Sequence, residues 1–318
     1  MLLRRSLPKL VHMRVAQRKS LKTRSGNTIK FRRLDKLPIQ SAPLLEGVPP
    51  QGREIGKFDI IATIQQYGDF TPLSDLEQIT LENPMLREAT DLLGDQASES
   101  MDSYARDVFA AGSSVFRGGA STVTLRTDLL SAAHKIDTTV QDRIIRLLMG
   151  NDATLFTEMV DASTKQATFP IRGAFWGITD EQVIFTAETL PGWKSVEEYS
   201  SKGSTLEAEM GAYKNLRWLS TTLAKKFLGG GGAVSGDVQS TGGVADVHTG
   251  LVFGTDAVAT VPLEGHSLEN IIKPTGSGGV SDPLNQVATS GWKHTGARVR
   301  LNESWMTRGE WTVALTTP

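Results

Sequence analysis

The 318-residue chain is 39% hydrophobic and 22% charged, an ordinary globular composition that indicates neither disorder nor membrane spans, and its length allows two compact domains or one elaborated one. With no cysteine, disulfides, thiolate catalysis and Cys-ligated zinc or iron–sulfur are excluded. The net charge of −1 conceals a segregation: residues 1–33 carry eleven bases and no acid, leaving 23 of the 34 bases against 35 acids in the rest, a body near −12. A basic arm on an acidic body points to nucleic acid or to a neighbouring copy of the same acidic body. The N-terminus has no apolar signal core, so the expected place is the cytosol of the producing cell, and a mitochondrial leader is disfavoured because the basic run continues into a strand pattern.

In chain order, residues 2–15 mix apolar and basic residues too loosely for a long helix, Pro8 limits any helix further, and the segment is expected to be an extended arm. Residues 27–33 (NTIKFRR) read as a strand with Ile29 and Phe31 on one face and Lys30 and Arg32 on the other. Between 34 and 56, Pro38, Pro43, Gly47, Pro49, Pro50, Gly52 and Gly56 are too dense for a helix. Residues 57–67 (KFDIIATIQQY) return as a strand, so 27–67 forms a two-stranded excursion that is marginal alone in water and must lie on its own body or on a partner. Gly68 and Asp69 are predicted to break this strand as a hinge, and Ser74 with Glu77 (SDLE) to form a capping box for a short helix.

Residues 83–112 carry the strongest helix signal. Asn83 is an N-cap and Pro84 suits the first helical position. Met85, Leu86, Ala89, Leu92, Leu93, Ala97, Met101, Tyr104 and Val108 are predicted on a buried face, Glu88, Asp91, Asp95, Glu99, Asp102 and Arg106 on a wet one, and Gly112 is predicted as a left-handed stop. Such a helix is roughly 42 Å long, against a mean of about 11 residues for globular proteins. Residues 121–125 are expected as a strand and 127–149 as a helix with Leu129, Leu130, Ala133, Ile136, Val140, Ile144, Leu147 and Leu148 at helical spacing, closed by Gly150. Thr179 or Asp180 caps a helix ending near Leu190, Pro191-Gly192 turns the chain, and Trp176 and Trp193 flank it. Residues 229–243 (GGGGAVSGDVQSTGG) lack the Lys and the spacing of a phosphate loop and read as a flexible surface loop; 276–279 (GSGG) read as a turn. Val287, Trp292, Val299, Leu301, Trp305, Met306 and Trp311, within 285–312, suggest sheet returning beneath the long helix.

The stretches MLLRRSLPKLVH, NTIKFRRLDKLP, PLLEGVPPQG, IIATIQQYGDFTPLSD and ENPMLREATDLLGDQA, with 190–200 (LPGWKSVEEYS), 242–265 (GGVADVHTGLVFGTDAVATVPLEG) and 281–308 (SDPLNQVATSGWKHTGARVRLNESWMTR), resemble the major capsid proteins of tailed phages with the HK97-like fold, in the branch typified by the coat protein of phage N4. The match is collinear over most of the chain and weakest at 113–170. The resemblance implies an α+β fold with an N-arm at 1–26, an E-loop at 27–68, a P-domain at 69–164 whose spine helix is 84–111, an A-domain at 165–262, and a return to the P-domain at 263–318. It implies inter-subunit contacts through Arg4, Arg5, Arg14, Arg18, Lys19, Lys22 and Arg24 of the arm and Lys30, Arg32, Arg33 and Glu46 of the E-loop, with Gly68 and Asp69 as the hinge. The implied partners are copies of the same chain in hexamers and pentamers, a portal, decoration proteins, and double-stranded DNA held non-specifically on the inner face. No cofactor, metal, membrane or Lys–Asn isopeptide crosslink is expected, nor a scaffolding extension ahead of the arm. The place of action is the virion capsid, assembled in the host cytoplasm.

The residues give no catalytic constellation of their own. His12, His134, His248, His266 and His294 are isolated from one another and from metal-binding patterns, and a surface or packing role is expected for all five. Ser113-Ser114, Ser200-Ser201 and the pair Asp246/His248 lack a G-x-S-x-G elbow, and Asn302-Glu303-Ser304 is a glycosylation pattern without a secretory signal. A shell protein, not an enzyme, is the expectation. The alternatives are an α/β enzyme with a basic targeting leader and a nucleic-acid-binding protein acting through residues 1–33.

Overall fold

The computed structural model describes residues 11–41, 43, 46–47, 52–76, 85–119, 123–156, 173–198, 208–278 and 282–315. The described part of the expected arm holds a short helix α1 (Val11–Arg14) and strand β1 (Gln17–Arg18), followed by β2 (Thr28–Leu34), β3 (Lys57–Thr63) and β4 (Gln65–Ser74). The long helix α2 is Met85–Ala110, then come β5 (Val115–Arg117), α3 (Thr138–Gly150), β6 (Phe175–Thr179), α4 (Glu181–Glu188), β7 (Trp193–Ser195), β8 (Glu209–Tyr213), β9 (Leu216–Ser220) and β10 (Lys226–Phe227). The chain continues through β11 (Ser240–Thr241), β12 (Val244–Ala245), β13 (Val247–Phe253), β14 (Val258–Pro262), β15 (Leu268–Lys273), β16 (Val287–Arg300) and β17 (Met306–Trp311). No described helix is long and apolar enough to cross a membrane.

Two sheets divide these strands. In the first, the 14-residue β16 is shared: β4 pairs antiparallel with Val287 through Gly296, β15 with Thr289 through His294 and β14 with Gly296 through Arg300, while β1 adds in parallel to β14. The second runs β5-β17-β13-β6-β9-β8-β7, with β10 on β13. Every residue of β13 is buried, as a central strand covered on both faces requires. On one side α3 and α4 bring Val140, Ile144, Leu148, Val183 and Ile184 onto Phe175, Trp218 and Trp311. On the other, Trp176, Ile178, Leu251 and Phe253 meet Ala105, Phe109 and Ala110 of α2 and Val11 and Val15 of the N-terminal segment.

Helix α2 therefore serves both sheets. Its first half lies on the β4–β16–β15 face, where Leu93 and Ala97 pack on Trp292, Gln96 Oε1 accepts from Trp292 Nε1 at 3.1 Å, and Tyr104 stacks on Tyr67 with centroids 4.3 Å apart. The buried row is Leu93, Ala97, Met101, Ala105 and Phe109, an i, i+4 line. Leu92, expected inside, is 69% exposed because it sits one residue, about 100°, off that line, and Val108 is likewise at the surface. Asp102, expected in water, is fully buried, since His12 supplies both a backbone amide at 2.9 Å and a ring nitrogen at 2.7 Å. Gly112 is not left-handed; the helix stops where the chain is drawn into β5, and Arg308 donates to the carbonyl of Ala110. Asn83, Pro84 and Glu77 lie outside the described residues.

Other expectations change for physical reasons. Gly68 and Asp69 do not break a strand: they pair with Lys293 and Trp292 inside β4, and the irregular residue is Ile64, whose amide bonds to Asn27 O at 2.9 Å. Asp69 is fixed further by Gln96 Nε2 at 2.6 Å. The 127–149 helix is confined to α3, because Asp137 caps it by accepting from Thr139 N, and the preceding Leu129 and Leu130 lie between two 3₁₀ turns, Arg126–Asp128 and Ala132–His134. Gly150 is the last helical residue and the left-handed one is Asp152, with φ 53°. Of the strand expected at 121–125, residues 123–125 join no sheet and Ser121 and Thr122 lie outside the described residues; the strand that follows the long helix is β5.

Residues 229–243 are not a flexible loop. Gly231 N bonds to Ala245 O and Gly232 N to Leu129 O, both at 2.9 Å, and Val238 is buried. A Cβ at Gly231 or Gly232 would collide with the carbonyls of Leu129 or Thr127, so these glycines permit close backbone approach. The return expected at 263–318 is split, with β16 under α2 and β17 between β5 and β13 of the other sheet.

Inside the first sheet, His294 is buried with Nδ1 bonded to the carbonyl of Ser267 and Nε2 accepting from Arg298 Nη2 at 3.0 Å. Burial first, and then the Arg298 charge, lower its pKa to about 4. The folded state thus binds this proton less readily than the unfolded chain, so the contribution is complete above the ordinary histidine value of about 6.5 and is lost as pH falls toward 4. The difference amounts to on the order of 3 kcal/mol. Denaturant unfolding between pH 7 and pH 4 is expected to show this acid loss, and His294→Gln to flatten it; an unchanged slope would contradict the assignment. In thermal or urea unfolding, Leu93→Ala should cost about 2–5 kcal/mol and Leu92→Ala within about 0.5. A Cβ at Gly68 would stand 2.6 Å from Trp292 O, so Gly68→Val should lower the Tm of the isolated chain well beyond Leu92→Ala.

Candidate assembly interface

The β2–β3 ribbon is antiparallel from Thr28↔Thr63 to Leu34↔Lys57, and its alternation assigns each face. Ile29, Phe31, Ala62 and Ile60 point to the body, where Phe31 and Ala62 join Leu21, Ala259, Val261 and Ala297 in one buried cluster. The root of the excursion is therefore supported by its own chain. Arg33 and Phe58 continue the same face past the edge of the body, the guanidinium 5.4 Å from the ring centroid. On the outer face Lys30 and Arg32 flank Asp59 at 3.5 and 2.8 Å, and the Arg32 hydrogen bond holds that carboxyl below its usual range.

Beyond the root the segment is apolar and open. Leu34, Leu37, Ile39, Ile55, Phe58 and Ile61 are 50–88% exposed, and Ile39 is the extreme. Large apolar side chains gathered on one projecting ribbon and rimmed by charge mark an interaction surface. One described contact ties this distal part back to the body, an exposed Lys36–Asp152 pair at 2.8 Å that salt would screen. Glu46 lies exposed in a turn with Gly47.

The basic arm divides. Arg4 and Arg5 lie outside the described residues. Residues 11–21 are seated on their own body: Val11, His12, Val15 and Leu21 are buried, Lys19 N bonds to Thr260 O at 3.1 Å and Leu21 N to Pro262 O at 3.0 Å. In this stretch the apolar residues of the arm complete the protomer's own core. The charged side chains still face outward. Arg14 is half-buried, while Arg18, Lys19, Lys22, Arg24, Lys30, Arg32 and Arg33 are exposed, with Lys19 Nζ 5.3 Å above the Phe31 ring. The cluster around Leu21 and Phe31 is what brings arm and ribbon root together. The His12–Asp102 pair had no signal in the sequence, its members lying 90 residues apart.

Among the described residues no group of His, Asp and Glu could hold a metal ion. His248 does not pair with Asp246; its ring nitrogens meet Asp180 at 3.1 Å and Gln239 at 3.0 Å, while Asp246 accepts from Gly229 N and Thr241 Oγ1. Asp180 precedes α4 as expected but makes no side-chain cap bond, because Lys226 and His248 engage it. Ser113 donates to Glu303 and Ser114 to Thr307, so neither faces a histidine base.

No protein-family model matches the chain, and no curated protein matches it. Solved structures do. The capsid of Ralstonia phage GP4 overlaps 96% of this chain and 88% of its own with a TM-score of 0.63 at 13% identity. The Cyanophage Pam1 capsid asymmetric unit overlaps 96% and 94% with a TM-score of 0.61 at 13% identity. The capsid of Helicobacter pylori bacteriophage KHP30 overlaps 95% and 90% with a TM-score of 0.59 at 10% identity. The mixed α+β architecture, with its bridging helix and projecting ribbon, is the fold of these phage capsid chains.

Proposed function

We propose that the chain is the major capsid protein of a tailed phage, an HK97-like subunit that self-assembles through hexamers and pentamers into an icosahedral shell around double-stranded DNA. The observation that carries this reading is the near end-to-end overlap with capsid chains, including the 96% and 88% shared with that of phage GP4. In this reading α2 is the spine, the first sheet with α2 is the P-domain, and the second sheet is the A-domain. Residues 27–68 are the E-loop, pivoting near Ile64 instead of at Gly68 and Asp69. The exposed bases of the arm and ribbon, with Arg4 and Arg5, meet acidic patches of neighbouring subunits in a body that is itself acidic. Portal, decoration proteins and packaged DNA complete the partner set, the N4 branch rests on the sequence resemblance, and the shell forms in the host cytoplasm. The role is structural.

The ribbon's apolar part supplies the decisive test. Leu37→Asp combined with Ile39→Asp should leave the Tm unchanged, since both side chains are exposed, yet abolish shells seen by electron microscopy and sedimentation. Normal shells from this variant would sink the assembly role of the ribbon. Truncation discriminates the arm: removing residues 1–10 should preserve the folded chain, whereas removing 1–24 strips Val11, His12, Val15 and Leu21 from the core and should lower the Tm sharply. Equal melting of the two truncations would show that residues 11–24 do not complete the core.

A further inference from the structure

Glu310 of β17 is fully buried and faces three guanidinium groups. Its Oε1 lies 2.6 Å from Arg126 Nη2 and 3.0 Å from Arg308 Nε, and its Oε2 lies 3.2 Å from Arg117 Nε. Arg308 also donates to Ala110 O, and Arg117 Nη1 donates to Thr124 O at 2.6 Å. One carboxylate therefore organises three cations.

The surplus extends outward. The Arg126 guanidinium lies 3.6 Å over the Phe227 ring, and Lys225 Nζ and Arg308 lie 5.8 Å from the same centroid. Lys225 and Arg106 share Asp107 at 2.9 and 3.1 Å. The other nearby acid, Asp128, already accepts from the amides of Thr124 and Leu125. Five cations thus stand against three carboxylates, inside a body whose overall charge is negative. Burial, and the charges of Arg126 and Arg117 against the pull of Glu310, lower the Arg308 pKa below its ordinary value. Concentrated, partly desolvated positive charge is costly unless an anion completes it. The opening is at Arg126 and Lys225, whose side chains are 29% and 30% exposed, with Arg117 and Arg308 deeper at 18% and 12%.

We propose that Arg126 and Lys225, backed by Arg117 and Arg308, bind one phosphate group over Phe227. Guanidinium groups present paired N–H donors to phosphate oxygens, and the ring holds the Arg126 plane in place. The group is a free phosphate ion or the phosphodiester of a nucleic acid; only the second source rests on the capsid reading.

The test is thermal unfolding of the full chain at fixed ionic strength, comparing chloride, inorganic phosphate and a short DNA duplex. Phosphate should raise the Tm saturably by several degrees. The rise should vanish in Arg126→Gln, and Lys225→Gln should weaken apparent affinity for phosphate severalfold. Glu310→Gln, which removes the fully buried carboxylate at the centre of the cluster, should melt lower in chloride and recover more than the parent chain in phosphate, a rescue that a purely structural ion cluster does not produce. A duplex shift without a free-phosphate shift assigns the phosphodiester, and the reverse assigns the free ion. The proposal is overturned if neither ligand moves the Tm, or if the shift persists in both Arg126→Gln and Lys225→Gln. Because the readout is binding by the protomer, failure to form shells would refute the capsid reading and leave the phosphate result standing.

Discussion

A 26-residue helix is about 39 Å long, and no single small sheet can cover its apolar row from end to end. That constraint sets the architecture. The row from Leu93 to Phe109 is split, with Trp292 of the β16 sheet under one half and Phe253 with Trp176 of the β13 sheet under the other. The chain meets this by crossing repeatedly: β13 belongs to one sheet and β14 to the other, and β16 and β17 repeat the exchange. The N-terminal segment then fills the remaining corner with Val11 and Val15 and locks it with the His12–Asp102 pair. Separation of the two sheets would expose both halves of one helix, so they are coupled through burial as well as through the backbone.

The electrostatic arrangement follows from where burial is complete. Bases on the arm and ribbon remain in solvent, where their pairings, such as Arg32 with Asp59, are exposed and screened. Bases around Glu310 are partly enclosed and cannot be screened in that way. The same side-chain chemistry thus gives a diffuse, long-range surface in one place and a localised, directional cluster in another.

Much of this fold was legible in the sequence. The alternation of Ile29 and Phe31 against Lys30 and Arg32 gave the ribbon's faces, and the long helix was predicted to within a few residues of Met85–Ala110. The apolar residues of 285–312 did return beneath that helix in part. What was not legible depends on tertiary partners. Asp102 reads as a solvated acid until His12 arrives from 90 residues away. Gly68 reads as a flexible joint, yet it is fixed by the nearness of Trp292 O, and the glycines at 231–232 are likewise spacers that let backbones approach. A glycine's composition signal is the same for freedom and for crowding, and only the neighbour decides. The bases were identified by residue type, while the exposed apolar residues of the ribbon, and the division of the arm into core-filling and outward-facing members, required the fold.

The ten consecutive pairs between β4 and β16 clamp the root of the projecting ribbon. Any angular compliance of the ribbon therefore lies outside this clamp, at Ile64 and in the seven-residue strands β2 and β3. Seven residues span about 23 Å, so a flexure of roughly 10° sweeps the far end by about 4 Å, close to the width of one side chain. The ribbon acts as a cantilever: small angular compliance near its fixed end becomes a full side-chain step at Leu37 and Ile39.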